Sequence, residues 1–343
     1  MSQENKEQSG YVKWPIIVSA VAVIALCTIL ISVAWVANMP SQSIGSPGHI
    51  QDHFAVVDPL QPPVSSENQI VYEPPGIAEL YENLRFASNP GGLSFIGSVS
   101  SLCLSSDTID ALETCINRLE AYDYSVGFVL IDITTGQGIA YNADEQFYSA
   151  SAIKGIYVAA LVSSEPELLT DYYDSIASIL IYSDNDAYVD LFDSTNWLGS
   201  LDQWYLEADT VLDDFNHCFP QISARDMARL WLRNYEYFSS EAEPAQELAE
   251  LYTTPNRSPI NAVLGDIYLT YTKAGWGYET GILDDGSFYT LAANDAGLVY
   301  AGEDGSHPYV IAIMSDLAAD LDRLEDLVVV LNRAHDEIVA ELS

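Results

Sequence analysis

Positive charge is what this chain has least of. Its 343 residues carry 12 Lys+Arg against 50 Asp+Glu, a formal net charge of −38. Nucleic-acid binding rests on clustered basic residues, so that class of partner is excluded. Electrostatic docking on anionic lipid is excluded for the same reason. Cysteine is also scarce: four in this length make neither a disulfide scaffold nor a zinc array. The five histidines (His49, His53, His217, His307, His335) lack zinc-ligand spacing, so neither a metal nor a cofactor is expected. No internal repeat is found. Apolar residues, by contrast, make up 49% of the chain and aromatics 11%. That is ample for a core and rules out wholesale disorder.

The first 75 residues do not read as core. Trp14 to Ala37 is an uncharged apolar run, long enough as a helix to cross a hydrocarbon layer about 30 Å thick. No small-residue cleavage pattern follows it, because Trp35 stands where a small side chain is wanted. An uncleaved transmembrane anchor over 14–37 is therefore expected. Lys6 and Lys13 precede the run and the next basic residue is Arg85, which puts residues 1–13 in the cytoplasm and the rest outside. Residues 38–75 hold Pro40, Pro47, Pro59, Pro62, Pro63, Pro74 and Pro75, the composition of an extended stalk. Residues 76–104 form an extension of uncertain structure, with GIAELYENLRF readable as a short helix and NPGG as a turn.

From residue 105 to 343 the pattern is that of one α+β domain. Ser106 or Asp107 can cap a helix carrying Ile109, Leu112, Ile116 and Leu119. SVGFVLIDITTGQGIAYN reads as two strands around a Thr-Thr-Gly turn. Helices are expected from near Ser151, over Ser175–Tyr182 and over Ala224–Phe238. Strands follow at Ile267–Trp276, Phe288–Leu291, Gly297–Ala301 and Tyr309–Met314, and Leu317–Leu342 closes the chain as an amphipathic helix. This order predicts an antiparallel sheet flanked by N- and C-terminal helices, with a helical subdomain inserted in the middle. Cys103 and Cys115 are able to pair outside the cell; Cys218 would be left over, and Cys27 falls in the anchor.

The lysines decide where the chemistry is sought. They are Lys6, Lys13, Lys154 and Lys273, so two stand alone in the soluble part. Ser151-Ala152-Ile153-Lys154 brings the amine back one helical turn, within hydrogen-bonding reach of the Ser151 hydroxyl. A serine needs such a base, and a desolvated lysine can lose enough basicity to serve. In Ser183-Asp184-Asn185, Ser183 can relay a proton, Asp184 can fix the loop and Asn185 can bind an amide carbonyl. In Lys273-Ala274-Gly275 the ammonium can hold a carboxylate and Gly275 lets a ligand approach the backbone. Taken singly, each fits a surface lysine or a polar turn equally well.

Taken together, S-x-x-K, S-D-N and K-x-G in that order resemble the signature of the serine β-lactamases and penicillin-binding hydrolases, most closely the class A-like branch. The similarity runs from about Leu104 to the C-terminus and includes IDITTGQGIAYN, FYSASAIK, SARDMARL, NDAGLVY and YVIAIMS. It implies a two-part β-lactamase/transpeptidase-like fold with the site between sheet and helical subdomain. It further implies Ser151 as the acylated nucleophile, Lys154 as base and Ser183 as proton donor to the leaving nitrogen. Asn185 and Lys273 would bind substrate, beside Gly275, with the backbone N–H groups of Ser151 and Trp276 as oxyanion hole.

Three features depart from the pattern. Ala274 replaces the expected hydroxyl residue. Ser151 and Ser183 lie closer in sequence than is typical. No E-x-x-L-N segment lies between Ser183 and Ser223; of Asp202, Glu207, Asp209, Asp213 and Asp214, Glu207 is the candidate retained for activating a deacylating water. The expectation is a membrane-anchored, monomeric, extracytoplasmic serine hydrolase acting on a β-lactam or a cell-wall peptide of D-alanyl-D-alanine type. The alternative is a non-catalytic module that binds wall fragments or a partner protein in the same cleft.

Overall fold

The computed structural model describes residues 74–85, 92–97, 104–210, 217–282 and 288–340. The anchor and nearly all of the stalk inferred from sequence lie outside these residues, as does Cys103. Among the described residues no helix is long and apolar enough to cross a membrane.

Residues 76–104 do more than extend the domain. Helix α1 (Ile77–Arg85) buries Leu80, Tyr81 and Leu84 against the core, and strand β1 (Ser94–Ile96) pairs with the main sheet. The packed unit thus begins well before residue 105. Helix α2 (Ser106–Glu120) starts one residue earlier than the sequence suggests. Its cap is Ser105, whose hydroxyl accepts from the Thr108 N–H at 3.2 Å. Leu112, Ile116 and Leu119 then fall on one buried stripe.

The hairpin β2 (Val126–Asp132) and β3 (Gly138–Tyr141) follows, then the short β4 (Gln146–Tyr148). Next comes the helical block: α3 (Ile153–Ser164), α4 (Glu167–Asp171), α5 (Tyr173–Ala177), α6 (Asn185–Thr195) and α7 (Ser200–Glu207). Strand β5 (Gln221–Ser223) pairs with β4 and leads into α8 (Ala224–Phe238), α9 (Glu243–Glu250) and α10 (Pro259–Leu264). Strands β6 (Leu269–Gly277), β7 (Gly281–Ile282), β8 (Phe288–Tyr289), β9 (Ala292–Ala301) and β10 (His307–Ser315) complete the sheets, and α11 (Glu325–Ala340) ends the described chain. The closing helix begins later than Leu317 because Ala319 adopts φ +51°, which interrupts helical geometry.

Six strands form one antiparallel sheet in the order β1-β3-β2-β10-β9-β6. Its central strands β2 and β10 are largely apolar because both faces are covered. Along β2, Val129 and Ile131 face the helical block while Phe128 and Leu130 face α2 and α11; along β10, Val310 and Ala312 alternate with Ile311 and Ile313. The period-2 alternation therefore sorts side chains between two cores rather than between core and water. Helix α3 is buried along nearly its whole length and carries one charged side chain, Lys154. An apolar helix of this kind belongs in an interior.

One buried polar link ties the layers. Asp132, at the end of β2, is fully buried; its Oδ1 accepts from Thr134 Oγ1 at 2.6 Å and the Thr135 N–H at 2.8 Å. Its Oδ2 lies 2.9 Å from Nε2 of His335 on α11. Burial works to raise the Asp132 carboxyl, but the hydrogen bonds from His335 and Thr134 hold it below its usual value. Removing one partner strands the others in a dry interior. In urea titrations of the full chain, Asp132→Ala is expected to lower unfolding free energy by about 3–5 kcal/mol, and Asp132→Asn by less. A loss under about 1 kcal/mol for the alanine variant would show the link to be idle.

Candidate active site

The turn that carries Ser151 is built under constraint. Ala150–Ala152 form one turn of 3₁₀ helix between β4 and α3, and Ala150 sits at φ +43°, a conformation costly for a residue with a side chain. Asn294 on β9 fixes the approach to it. Its Nδ2 donates to the carbonyls of Tyr148 (2.8 Å) and Ser149 (3.1 Å), and its Oδ1 accepts from the Ser315 N–H (2.9 Å). From the other side β6 closes in. A Cβ on Gly275 would overlap the Ala152 amide nitrogen and lie 2.6 Å from that of Ser151. Only glycine lets this strand lie against the turn.

The second wall is the segment after α5. A turn of π-helix, Ser178–Tyr182, ends at Ser183, which takes the left-handed conformation at φ +61°. Asp184 then caps α6, accepting from the Ala187 N–H at 3.1 Å and from Ser178 Oγ at 2.9 Å. This geometry turns three oxygens inward. Lys154 Nζ donates to the Ser183 carbonyl (2.8 Å), the Asp184 carbonyl (3.1 Å) and Asn185 Oδ1 (2.6 Å), and lies 5.3 Å from the ring centre of Tyr188. The amine reach to Ser151 expected from the three-residue spacing is therefore not what is found. Ser151 Oγ makes no hydrogen bond among the described residues, because an ammonium with three donors is better satisfied by three carbonyl-type oxygens than by one hydroxyl.

Lys273 approaches from β6. Its Nζ donates to Ser183 Oγ at 3.0 Å and to the Ala274 carbonyl at 2.9 Å, and α3 passes so close that a Cβ on Gly155 would stand 2.9 Å from the Lys273 Cβ. Burial pushes the Lys154 ammonium down to about 7, helped by the charge of Lys273 and opposed by Asp184. Burial likewise takes Lys273 down to about 7, opposed by Asp295. Asp295 itself is pushed up to about 7 by burial, although Ser258 Oγ (2.6 Å) and the Ile260 N–H (2.9 Å) hydrogen-bond its carboxylate.

Ser151, Asn185 and Trp276 line one cavity of about 270 Å³, together with Tyr148, Phe219 and Glu279. Ser183, Lys273 and Gly275 are not on its lining; Lys273 donates to Ser183 Oγ, and Lys154 joins the Ser183 carbonyl to Asn185, which is. Ala274 is fully buried in the opposite core with Ile260, Leu264 and Ala293. Glu207 does not line the cavity. Its carboxylate is taken by Gln203 Nε2 (2.8 Å) and Arg233 (2.6 Å); these two bonds hold it below its usual value against the opposing effect of burial. Among the described residues an exposed Glu279, just past the third motif, is on its lining instead. Asn294 and Glu279 were the residues missed. A polar Asn in the apolar strand AANDAGLVY was the available signal for the first, and adjacency to KAGWG for the second. Among the described residues no group of three His, Cys, Asp or Glu is placed to hold a metal ion.

Comparison with solved structures finds the same fold. A β-lactamase from Streptosporangium roseum is 18% identical, covering 68% of this chain and 100% of its own, with a TM-score of 0.53. A halotolerant bacterial β-lactamase is 20% identical over the same shares, at 0.52. The carbapenemase VCC-1 from Vibrio cholerae N14-02106 is 15% identical over 66% and 99%, at 0.51. A comparison with curated proteins finds none that matches. The family model described as the beta-lactamase enzyme family matches residues 108–167 and 165–338. Those segments cover more than half of the sequence and contain all three motifs, so the chain belongs to the beta-lactamase enzyme family.

Proposed function

We propose that this protein is a serine acyl-transfer hydrolase whose nucleophile is Ser151, acting on a β-lactam or a peptide amide. The observation that carries the reading is the convergence of the two isolated lysines on one short segment. Lys154 binds the Ser183–Asn185 backbone and side chain, and Lys273 binds the Ser183 hydroxyl, beside a cavity open to Ser151. Two buried ammonium groups near one hydroxyl are costly to keep, and titratable groups perturbed in this way cluster at functional sites.

In this reading Lys154, when neutral, gives up one of its three donated bonds and turns its lone pair to the Ser151 hydroxyl. Ser151 Oγ attacks the acyl carbon as its proton passes to Nζ. The oxyanion is received by the backbone N–H groups of Ser151 and Trp276. Ser183 Oγ then gives its proton to the departing nitrogen and is recharged by Lys273, which already donates to it. Among the described residues Glu207, the candidate retained for deacylation, is spent on Arg233 and Gln203, and Asp213 and Asp214 lie outside those residues. Trapping of the acyl-enzyme is the expected outcome rather than rapid turnover. Class A-like chemistry, and tethering through residues 14–37 with the domain outside the cell, belong to the same proposal. The apolar run and the flanking Lys6 and Lys13 support the tether.

One observation favours a binding module instead: the Lys154 ammonium is saturated by oxygens other than Ser151 Oγ. Mass spectrometry separates the two. Incubating the full chain with benzylpenicillin should add one acyl mass that outlasts the acylation phase, and Ser151→Ala should add none. An unlabelled wild type would leave only the binding module.

Two further outcomes follow from the geometry. Because Lys154 must be neutral to act as base while Lys273 must keep the proton it passes to Ser183, and burial takes both to about 7, the acylation rate should climb toward pH 7 and fall again above it. Lys154→Arg, which stays protonated, should lose both the climb and most of the rate; a flat wild-type profile would remove Lys154 from the role. Gly275→Ala puts a methyl among backbone atoms that cannot yield, so labelling should slow by about 100-fold in a protein that still folds. A near-normal rate would show that β6 does not set the position of the Ser151 turn.

A further inference from the structure

Asp295 on β9 is a fully buried carboxyl with no place in the proton path above. On the ladder it stands opposite Ala274, and Lys273 stands opposite Ala296, so the two charged residues are one step apart on adjacent strands. Strand alternation sends them to opposite faces of the sheet. Lys273 lies against Gly155 of α3 and donates to Ser183 Oγ. Asp295 faces the far core, where it accepts from Ser258 Oγ at 2.6 Å and the Ile260 N–H at 2.9 Å at the start of α10. Strand β10, its other neighbour, brings Ile313 beside it. The charges acting on these groups are few. Lys154 meets Lys273, Asp184 and Cys218; Lys273 meets Asp295; and Asp295 meets Lys273.

Acylation as read above asks opposite states of the two lysines: Lys154 neutral, Lys273 charged. Burial presses both the same way, so a further charge has to tell them apart. We infer that Asp295 is the positioning residue that keeps the proton on Lys273 while Lys154 gives up its own. The inference rests on the hydrolase reading and assigns that site a residue outside its three motifs. A buried charge is felt through a dry interior with little screening. A direct ion pair would pin the ammonium and occupy its donors. From across the strand Asp295 biases the proton while those donors stay on Ser183 Oγ and the Ala274 carbonyl. Burial pushes the Asp295 carboxyl up to about 7, so its charge develops over the range in which Lys273 would otherwise lose its proton.

The pH profile of acylation tests this. Labelling of Ser151 by benzylpenicillin is timed by mass in the full chain, for the wild type, Asp295→Asn and Ser258→Ala. In Asp295→Asn the falling limb should move to lower pH by at least about half a unit, roughly a threefold loss of rate on that limb, while the rising limb does not move down with it. Ser258→Ala takes one hydrogen bond from the carboxylate and leaves it charged less often, so the same limb should move the same way by less. That variant decides the matter if the asparagine protein fails to fold. Rates that drop at every pH with both limbs in place make Asp295 structural only and overturn the inference. Limbs that shift down together also overturn it, because Asp295 would then act on both lysines alike. A wild type that is labelled but shows no falling limb overturns it and leaves Ser151 as nucleophile. A wild type that takes no label overturns the hydrolase reading, and the inference falls with it.

Discussion

Two ammonium groups removed from water in one small volume set the terms for everything around them. Burying a single unpaired charge costs several kcal/mol, and the mutual repulsion of Lys154 and Lys273 adds to that. The structure meets the cost with oxygens and not with carboxylates in direct contact. Carbonyls of Ser183, Asp184 and Ala274, the Asn185 amide and the Ser183 hydroxyl take the donated bonds. Ion pairs would have held both lysines charged at all relevant pH. Neutral oxygens leave them near the point where a proton is easily lost, which is the state that acid–base chemistry requires.

The surrounding architecture follows from placing those oxygens. Carbonyls can point inward only where the chain departs from regular structure, hence the π-turn before Ser183 and its left-handed backbone. Such a conformation persists only when neighbours over-determine it, and Asp184 does this by capping α6 and holding Ser178. Opposite, the strained Ala150 turn is held by Asn294, which bridges it to β9 and β10. Both irregular segments are thus braced by a buried or capping polar side chain on a regular element. The sheet and the helical block act as a rigid frame for two strained turns.

Sequence made much of this readable because the frame obeys simple periodicities. The β2 and β10 runs, the stripe on α2 and the apolar α3 with its single lysine are legible from residue type alone, and so is the order of the three motifs. What escaped was set by long-range placement. The destination of the Lys154 amine depends on a loop some thirty residues away adopting a left-handed bend, which no local spacing encodes. Glu207 was attractive as a free carboxylate, but Arg233 on α8 claims it across the fold. Strand β1 is three residues long, too short for any alternation to register, and it becomes a strand only because β3 offers an unpaired edge.

That short strand has a practical consequence for anyone cutting the gene. Residues Ser94–Ile96 cover the outer edge of β3, and Leu80 and Leu84 of α1 plug apolar surface behind the sheet. A recombinant fragment begun at the apparent start of homology near residue 108 would uncover both. Bare strand edges recruit other strands. Such a fragment should collect in inclusion bodies, whereas one begun at about residue 70 keeps its own border intact.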